Sequence, residues 1–156
     1  MAKNKKRKKR KIVQMTTTNP VKYIKKVGRK LPIVAAFMSP DHLKYGIGNI
    51  YVIREKSNGD KVVGGYLVDS WCLGVKDTFF DIMPTYEYEE FISEKNQNEI
   101  LRLEETDPVY IFNLIYGSVE YAEDLGIMPH KDFHITQYLL DEVESIDYID
   151  IPFGRD

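Results

Sequence analysis

The sequence predicts an α+β fold, in which an antiparallel β-hairpin or sheet packs against about three helices. Strand-like runs occupy the first half of the chain, with an Asn-Gly pair between two of them, and amphipathic helical patterns occupy the second half. In addition, 43% of the 156 residues are apolar, which is typical of a single globular domain with an ordinary core.

The strand predictions come from short apolar or alternating runs. Residues 31–38 are apolar apart from one proline, and residues 50–55 and 61–69 are rich in β-branched and aromatic side chains. The Asn-Gly pair at 58–59 lies between the last two runs and predicts a hairpin with a type I′ turn, whose central residues both need positive φ. Residues 148–153 alternate enough to predict a terminal strand.

Helices are predicted from their ends and from their apolar spacing. Residues 19–28 begin with Asn-Pro and end with Gly, as helices commonly do. Residues 85–95 and 107–126 carry apolar side chains at helical spacing, and the second segment begins with a capping Asp and ends with Gly. Asp132 is predicted to cap a last helix.

Charge divides the chain into a basic arm, residues 1–30, and an acidic α+β domain, residues 31–156. The arm contains thirteen Lys and Arg and no Asp or Glu, whereas the domain has a net charge of −15. The first eleven residues are too densely charged to bury a core, so we expect a disordered basic arm when the protein is free.

Such an arm can neutralise phosphates and release their counterions, so its binding would fall steeply with salt. We therefore predict a nucleic-acid or ribonucleoprotein partner. A solubilising tail, or a tail that folds back on the acidic domain, are the alternatives. No membrane partner is predicted, since no apolar anchor accompanies the charges. The predicted contacts are basic except for one aromatic, which either stacks on a base or docks on the domain: Lys3, Lys5, Lys6, Arg7, Lys8, Lys9, Arg10, Lys11, Lys22, Tyr23, Lys25, Lys26, Arg29 and Lys30.

Composition also excludes several classes of protein. The single Cys rules out an internal disulfide and a Cys-based zinc cage within one chain, and predicts a reducing, cytoplasmic compartment. No apolar run of about 18 residues predicts a transmembrane helix. The two glycines at 46 and 48 lack the rest of a dinucleotide fingerprint, so no cofactor is predicted.

Acidic runs such as residues 87–94 are solvated faces or a surface for a basic protein partner.

Residues 66–77 concentrate the side chains that can do chemistry. A Cys with a nearby His is the minimum for a thiolate nucleophile, and carboxylates with a His can support hydrolysis. Two simpler alternatives stay open: a buried core thiol, and an ion-pair cluster that pins the loop. Whether the protein is an enzyme is left open, and the candidate catalytic residues are Asp69, Cys72, Lys76, Asp77, His130 and Asp132.

A metal site is weighed and not predicted. His130 and His134 are four residues apart with Asp132 between them. However, Pro129 and a cap at Asp132 place His130 outside the helix, so the two rings would not share one helical face. A further ligand would have to come from His42 or a remote carboxylate.

Two motifs resemble those of a family of uncharacterised bacterial proteins. Residues 66–77 resemble the pattern LVD, two residues, CLGVKD, and residues 117–132 resemble GA, two residues, YA, then LG, two residues, PH-x-D. The closing residues 153–156 resemble FGKD. The resemblance covers roughly residues 46–156 and implies this order of elements but no activity. Members of the family usually continue past the last motif, and the lysine-rich arm is not part of the shared pattern.

Overall fold

Five strands form one antiparallel sheet in the computed structural model, which describes residues 19–40, 42–98 and 102–155. Their order across the sheet is β4-β3-β2-β1-β5, so the first four strands are joined to their neighbours along the chain. This arrangement confirms the α+β prediction. The strands are β1 Ile33–Met38, β2 Ile47–Glu55, β3 Lys61–Asp69, β4 Gly74–Met83 and β5 Glu104–Glu105.

Helices cover both faces of the sheet, and the three predicted between residues 19 and 126 are confirmed. The helices are α1 Pro20–Val27, α2 His42–Tyr45, α3 Thr85–Asn96, α4 Pro108–Asp124 and α5 Phe133–Thr136. A short 3₁₀ turn at Gly28–Lys30 comes after α1, and two more, at Gln137–Leu139 and Val143–Ser145, come after α5. Asp107 caps α4, because its Oδ1 accepts a hydrogen bond of 2.9 Å from the backbone N–H of Val109.

The two faces of the sheet have separate cores, because successive side chains of a strand point to opposite faces. On one face, α4 packs Ile111 and Ile115 against a cluster that includes Val52. On the other face, α3 packs Phe91 and its neighbours against a cluster that includes Ile53. The apolar stripes predicted for both helices therefore face the sheet as expected.

The hairpin at 58–59 is confirmed, but the type I′ turn is wrong. The N–H of Gly59 donates to the carbonyl of Lys56 at 2.9 Å, and the N–H of Lys56 donates to Asp60 at 2.9 Å. Gly59 has φ +93°, whereas no described residue other than glycine has positive φ. The loop is therefore a type I turn followed by one left-handed glycine. Asn58 keeps a negative φ in this loop, whereas a type I′ turn would require a positive φ there.

The predicted terminal strand at residues 148–153 is also wrong, because α4 binds this segment through a side chain. Asn113 donates to the carbonyl of Asp147 at 2.9 Å, and its Oδ1 accepts from the N–H of Ile149 at 3.1 Å. These bonds occupy backbone groups that a strand neighbour would need. Phe153 then packs on α4, and a Cβ at Gly117 would come within 2.1 Å of its ring.

Residues 19–30 lie against the domain. Asn19 caps α1 by accepting a hydrogen bond of 3.2 Å from the backbone of Lys22, as predicted. Ile24 is fully buried in a cluster with Val62 and Leu139, which matches the docking alternative for this segment. The predicted arm residues 1–18 lie outside the described part of the chain.

Arg54, in β2, is buried with 1% of its surface exposed. Its Nε donates to the carbonyl of Leu139 at 2.9 Å, and its Nη1 donates to the carbonyl of Leu31 at 2.7 Å. Its Nη2 forms an ion pair of 2.9 Å with the half-buried carboxylate of Asp141. One guanidinium thus joins the sheet to the segment after α1 and to the segment after α5.

We expect Arg54→Met to lower the free energy of unfolding by about 3 kcal/mol, because two carbonyls and one carboxylate lose their donor. Urea unfolding followed by circular dichroism measures the change. Arg102→Met is the matched control: Arg102 pairs with Glu104 at 3.4 Å on the surface, so its loss should cost less than about 0.5 kcal/mol. Equal losses in both variants would contradict the anchoring role.

Candidate functional site

Asp69 closes the turn between β3 and β4. Its Oδ1 accepts hydrogen bonds from the backbone N–H groups of Trp71 at 3.0 Å and Cys72 at 3.2 Å. The turn ends at Gly74, whose φ of +69° favours glycine, and whose Cβ would lie 3.1 Å from the carbonyl oxygen of Ser118 in α4. These contacts give Asp69 a structural role in the most motif-rich stretch of the chain.

The thiol of Cys72 is exposed and free, so the alternative of a buried core cysteine is wrong. Lys76 is exposed as well. Within the described residues, no carboxylate lies within 4.0 Å of the Lys76 ammonium, so the loop does not hold the ion-pair cluster weighed above.

The structure brings together three of the six candidate residues: Asp77, His130 and Asp132. Nε2 of His130 lies 3.8 Å from a carboxylate oxygen of Asp77, and Nδ1 lies 3.9 Å from a carboxylate oxygen of Asp132. The backbone N–H of Asp132 donates to Nδ1 at 3.1 Å, which places the proton of the neutral ring on Nε2, towards Asp77. The Asp77 side chain is 71% exposed, so this cluster lies on an open surface.

The backbone of β4 holds this cluster in place, because the N–H of His130 donates to the carbonyl of Val75 at 2.8 Å. His134, the other ring of the weighed metal set, turns its Nδ1 towards the carbonyl of Lys131. Among the described residues, no group of three or more His, Cys, Asp and Glu side chains is arranged to hold a metal ion.

The cations after residue 18 differ in their surroundings. Arg29 is engaged within the protein: its Nε donates to the carbonyl of Leu140 at 2.9 Å, and it pairs with Glu142 at 3.6 Å. In contrast, four lysines are exposed, and no carboxylate of the described chain lies within 4.0 Å of any of them. They are Lys22, Lys25, Lys26 and Lys30.

Tyr23 lines an open groove of about 740 Å³ beside α1. Phe80 and Ile82 of β4 form its apolar wall, and the ammonium of Lys56 lies 5.2 Å from the centre of the Tyr23 ring. Partial burial raises the pKa of the Tyr23 hydroxyl. The ring is thus docked on the domain at the side of an open groove. Its stacking on a base stays a prediction.

His42 is a functional candidate that the sequence reasoning missed except as a remote metal ligand. It has 2% of its surface exposed, and its Nε2 has no hydrogen-bond partner among the described residues. Burial lowers its pKa, opposed by a backbone hydrogen bond to Val68 and by the charge of Asp69. It lines a cavity of about 320 Å³ with Trp71 and Arg155, residues too distant in sequence for a local pattern to connect them.

No protein-family model, curated protein or solved structure matches the chain. The resemblance to the bacterial family through the motifs at 66–77 and 117–132 therefore stays a prediction. In the part of the chain that the structure describes, no helix is both long and apolar enough to cross a membrane.

The turn role of Asp69 makes a prediction about two substitutions. Asp69→Ala should lower the free energy of unfolding by about 1 kcal/mol, because two backbone donors lose their acceptor. Asp69→Asn keeps an acceptor oxygen and should stay within about 0.5 kcal/mol of the parent protein. Denaturant titration distinguishes them. If the Asn variant were as unstable as the Ala variant, the carboxylate charge would have a role that the turn does not explain.

The exposure of Cys72 predicts that the native protein reacts with an aromatic disulfide reagent. We expect one coloured thiolate released per chain without denaturant, and none from Cys72→Ser, because this is the only thiol. Absorbance during mixing gives the rate. Reaction only after unfolding would contradict the observed exposure.

Proposed function

We propose that the protein is a non-catalytic, nucleic-acid-associated binding protein that holds RNA or a ribonucleoprotein surface through its Lys- and Arg-rich N-terminal region. One observation supports this most directly: α1 buries Ile24 and leaves Lys22, Lys25, Lys26 and Lys30 exposed and free of nearby carboxylates within the described chain. Helix docking therefore presents these cations to solvent, and the strongly basic residues 3–11 precede them in the sequence.

Phosphate contacts of this kind provide affinity and carry no direct sequence information. Lysine is suited to them, since its flexible ammonium acts as a point charge. The open side of Tyr23 adds a surface on which a base or sugar can stack. Asp60 and Asp81 also line this groove, so we expect the sugar-phosphate chain to follow the lysines of α1 and not the groove floor.

The charge on the opposite face of the sheet also favours binding of the sugar-phosphate chain on the α1 side of the domain. Val62 contacts the cluster under α1, whereas Val63, its neighbour in β3, contacts the cluster under α3. The exposed acidic side chains of α3 thus lie on the other side of the sheet, where they repel a phosphate chain or attract a basic protein. Those side chains are Glu87, Glu89, Glu90 and Glu94.

A cytoplasmic location belongs to this proposal, because a chain with one free, exposed thiol suits a reducing compartment. The alternative, a small hydrolase or nuclease-like enzyme, has less support. Its best candidates, Asp77 and His130, are 3.8 Å apart on an exposed surface, where water weakens the electrostatic interactions that acid–base catalysis needs.

The proposal is tested by the salt dependence of binding to a short labelled single-stranded RNA, measured by fluorescence anisotropy. Each phosphate neutralised contributes about 0.7 to the slope of log affinity against log salt for single strands. Deleting residues 1–11 removes eight cations and should reduce that slope by up to about 6. Replacing Lys22, Lys25 and Lys26 with Gln in the full chain should reduce it by up to about 2.

The matched control replaces three other exposed lysines, Lys44, Lys76 and Lys131, with Gln. It changes net charge by the same amount away from α1, so its slope should equal that of the parent protein. If both triple variants reduced the slope equally, net charge and not α1 would explain the binding. If the full chain did not bind RNA or DNA at low salt, the proposed function would be wrong.

A further inference from the structure

The cavity beside His42 combines three kinds of recognition chemistry. Its walls include a buried imidazole from His42, the indole of Trp71 and the guanidinium of Arg155. Tyr110 and Leu114 of α4 contribute an aromatic and an aliphatic surface. With a volume of about 320 Å³, it falls in the size range of small-molecule sites, which starts at about 300 Å³.

Glycines allow the walls of this cavity to approach each other closely. A Cβ at Gly46 would lie 2.1 Å from the Trp71 ring, so only glycine lets the indole lie on that backbone. A Cβ at Gly48 would lie 3.2 Å from the Cβ of His42. Ser70 fixes the junction, because its N–H and its Oγ donate to the carbonyl of Gly46 at 2.8 and 3.1 Å.

The C-terminal segment is fastened to the same junction. The N–H of Gly154 donates to the carbonyl of Ser70 at 3.0 Å, and Gly154 has φ +84°. The next residue, Arg155, lies with its guanidinium 5.5 Å from the centre of the Trp71 ring. Within residues 19–155 as described, no hydrogen bond from this guanidinium to the protein is formed, so its N–H donors can meet a ligand.

Two of these polar groups have no hydrogen-bonding or charged partner in the described part of the chain. Within the described residues, Nε2 of His42 is buried without a hydrogen bond, and no carboxylate lies within 4.0 Å of Arg155. A buried polar atom without a partner is costly, and folded proteins satisfy almost all such atoms with protein, ligand or water. The guanidinium fork matches the oxygen atoms of carboxylates and phosphates.

We propose that this cavity binds a small organic anion, whose carboxylate or phosphate head is held by Arg155 and by Nε2 of His42 and whose flat body lies against Trp71. The anion satisfies the unpartnered imidazole and gives the guanidinium a counter-charge. An aromatic or planar body suits the indole and the side chains of Tyr110 and Leu114.

This site is separate from the basic surface proposed for nucleic acid. Ile24 of α1 packs near Val62, at the beginning of β3, whereas Ser70 and the cavity follow the end of that strand. At about 3.3 Å per residue, the two ends are roughly 25 Å apart. Either binding activity can therefore fail in an experiment without affecting the other.

Trp71 reports on the cavity directly, because it is the only tryptophan of the chain. The full-length protein is titrated with benzoate and with phenyl phosphate, and phenol serves as the neutral comparison. We expect a saturable change in tryptophan fluorescence with at least one of the anions, with Kd below about 1 mM. The two anions distinguish a carboxylate from a phosphate ligand, and phenol should bind at least tenfold more weakly than the better anion.

Arg155→Gln should weaken the better anion at least tenfold, and Arg155→Lys should restore part of the affinity. Arg102→Gln, a surface arginine outside the cavity, is the matched control and should bind as the parent does. Unchanged melting temperatures would show that the variants are folded. In parallel, the NMR signals of the His42 ring should shift with the same Kd. Unmoved ring signals together with unchanged fluorescence would overturn the proposal, as would equal binding by Arg155→Gln.

Discussion

The buried guanidinium of Arg54 is the interaction on which the arrangement of the chain depends. A charge that deep in the sheet is tolerated only when its donors are satisfied, and Leu31, Leu139 and Asp141 provide the acceptors. These acceptors lie in two segments that flank the sheet in sequence. The same contact therefore places α1, which presents the exposed lysines, and orients the C-terminal segment that continues to Arg155.

Close backbone contacts at glycines hold the same segments together in addition to the Arg54 guanidinium. At Gly28 a Cβ would lie 2.5 Å from the carbonyl oxygen of Tyr138, and at Gly46 it would overlap the indole of Trp71. Both glycines therefore mark places where one segment is pressed against another. The first holds the end of α1 against the turn after α5, and the second closes the wall of the His42 cavity. Fold and sites share these contacts, since the surfaces proposed for ligands are formed where the segments meet.

Much of the fold is predictable because its signals are local. The Asn-Gly hairpin, the Asp-Pro start of α4 and the apolar stripes of α3 and α4 lie within one element each. In contrast, β4 was not predicted, because Lys76 and Asp77 are consecutive polar residues at a register shift between β3 and β4, and they interrupt the alternation that identifies a strand. The irregular path of residues 148–153 depends on Asn113, a contact that no local pattern shows.

The candidate site was harder to predict for the same reason. From sequence alone, a carboxylate in a motif can be either a catalytic group or a hydrogen-bond acceptor in a turn. Asp69 is a turn acceptor, because two backbone N–H groups donate to it. His42 and Arg155 meet through tertiary structure alone.

The two proposed anion sites also differ in the range of the interaction that binds the anion. Exposed lysines act over a Debye length of about 10 Å at 0.1 M salt, which is shorter than the length of β3, so the lysines of α1 do not tune the cavity electrostatically. The buried imidazole acts only at hydrogen-bond distance, so its selectivity depends on the shape of the wall around it and not on the net charge of the chain.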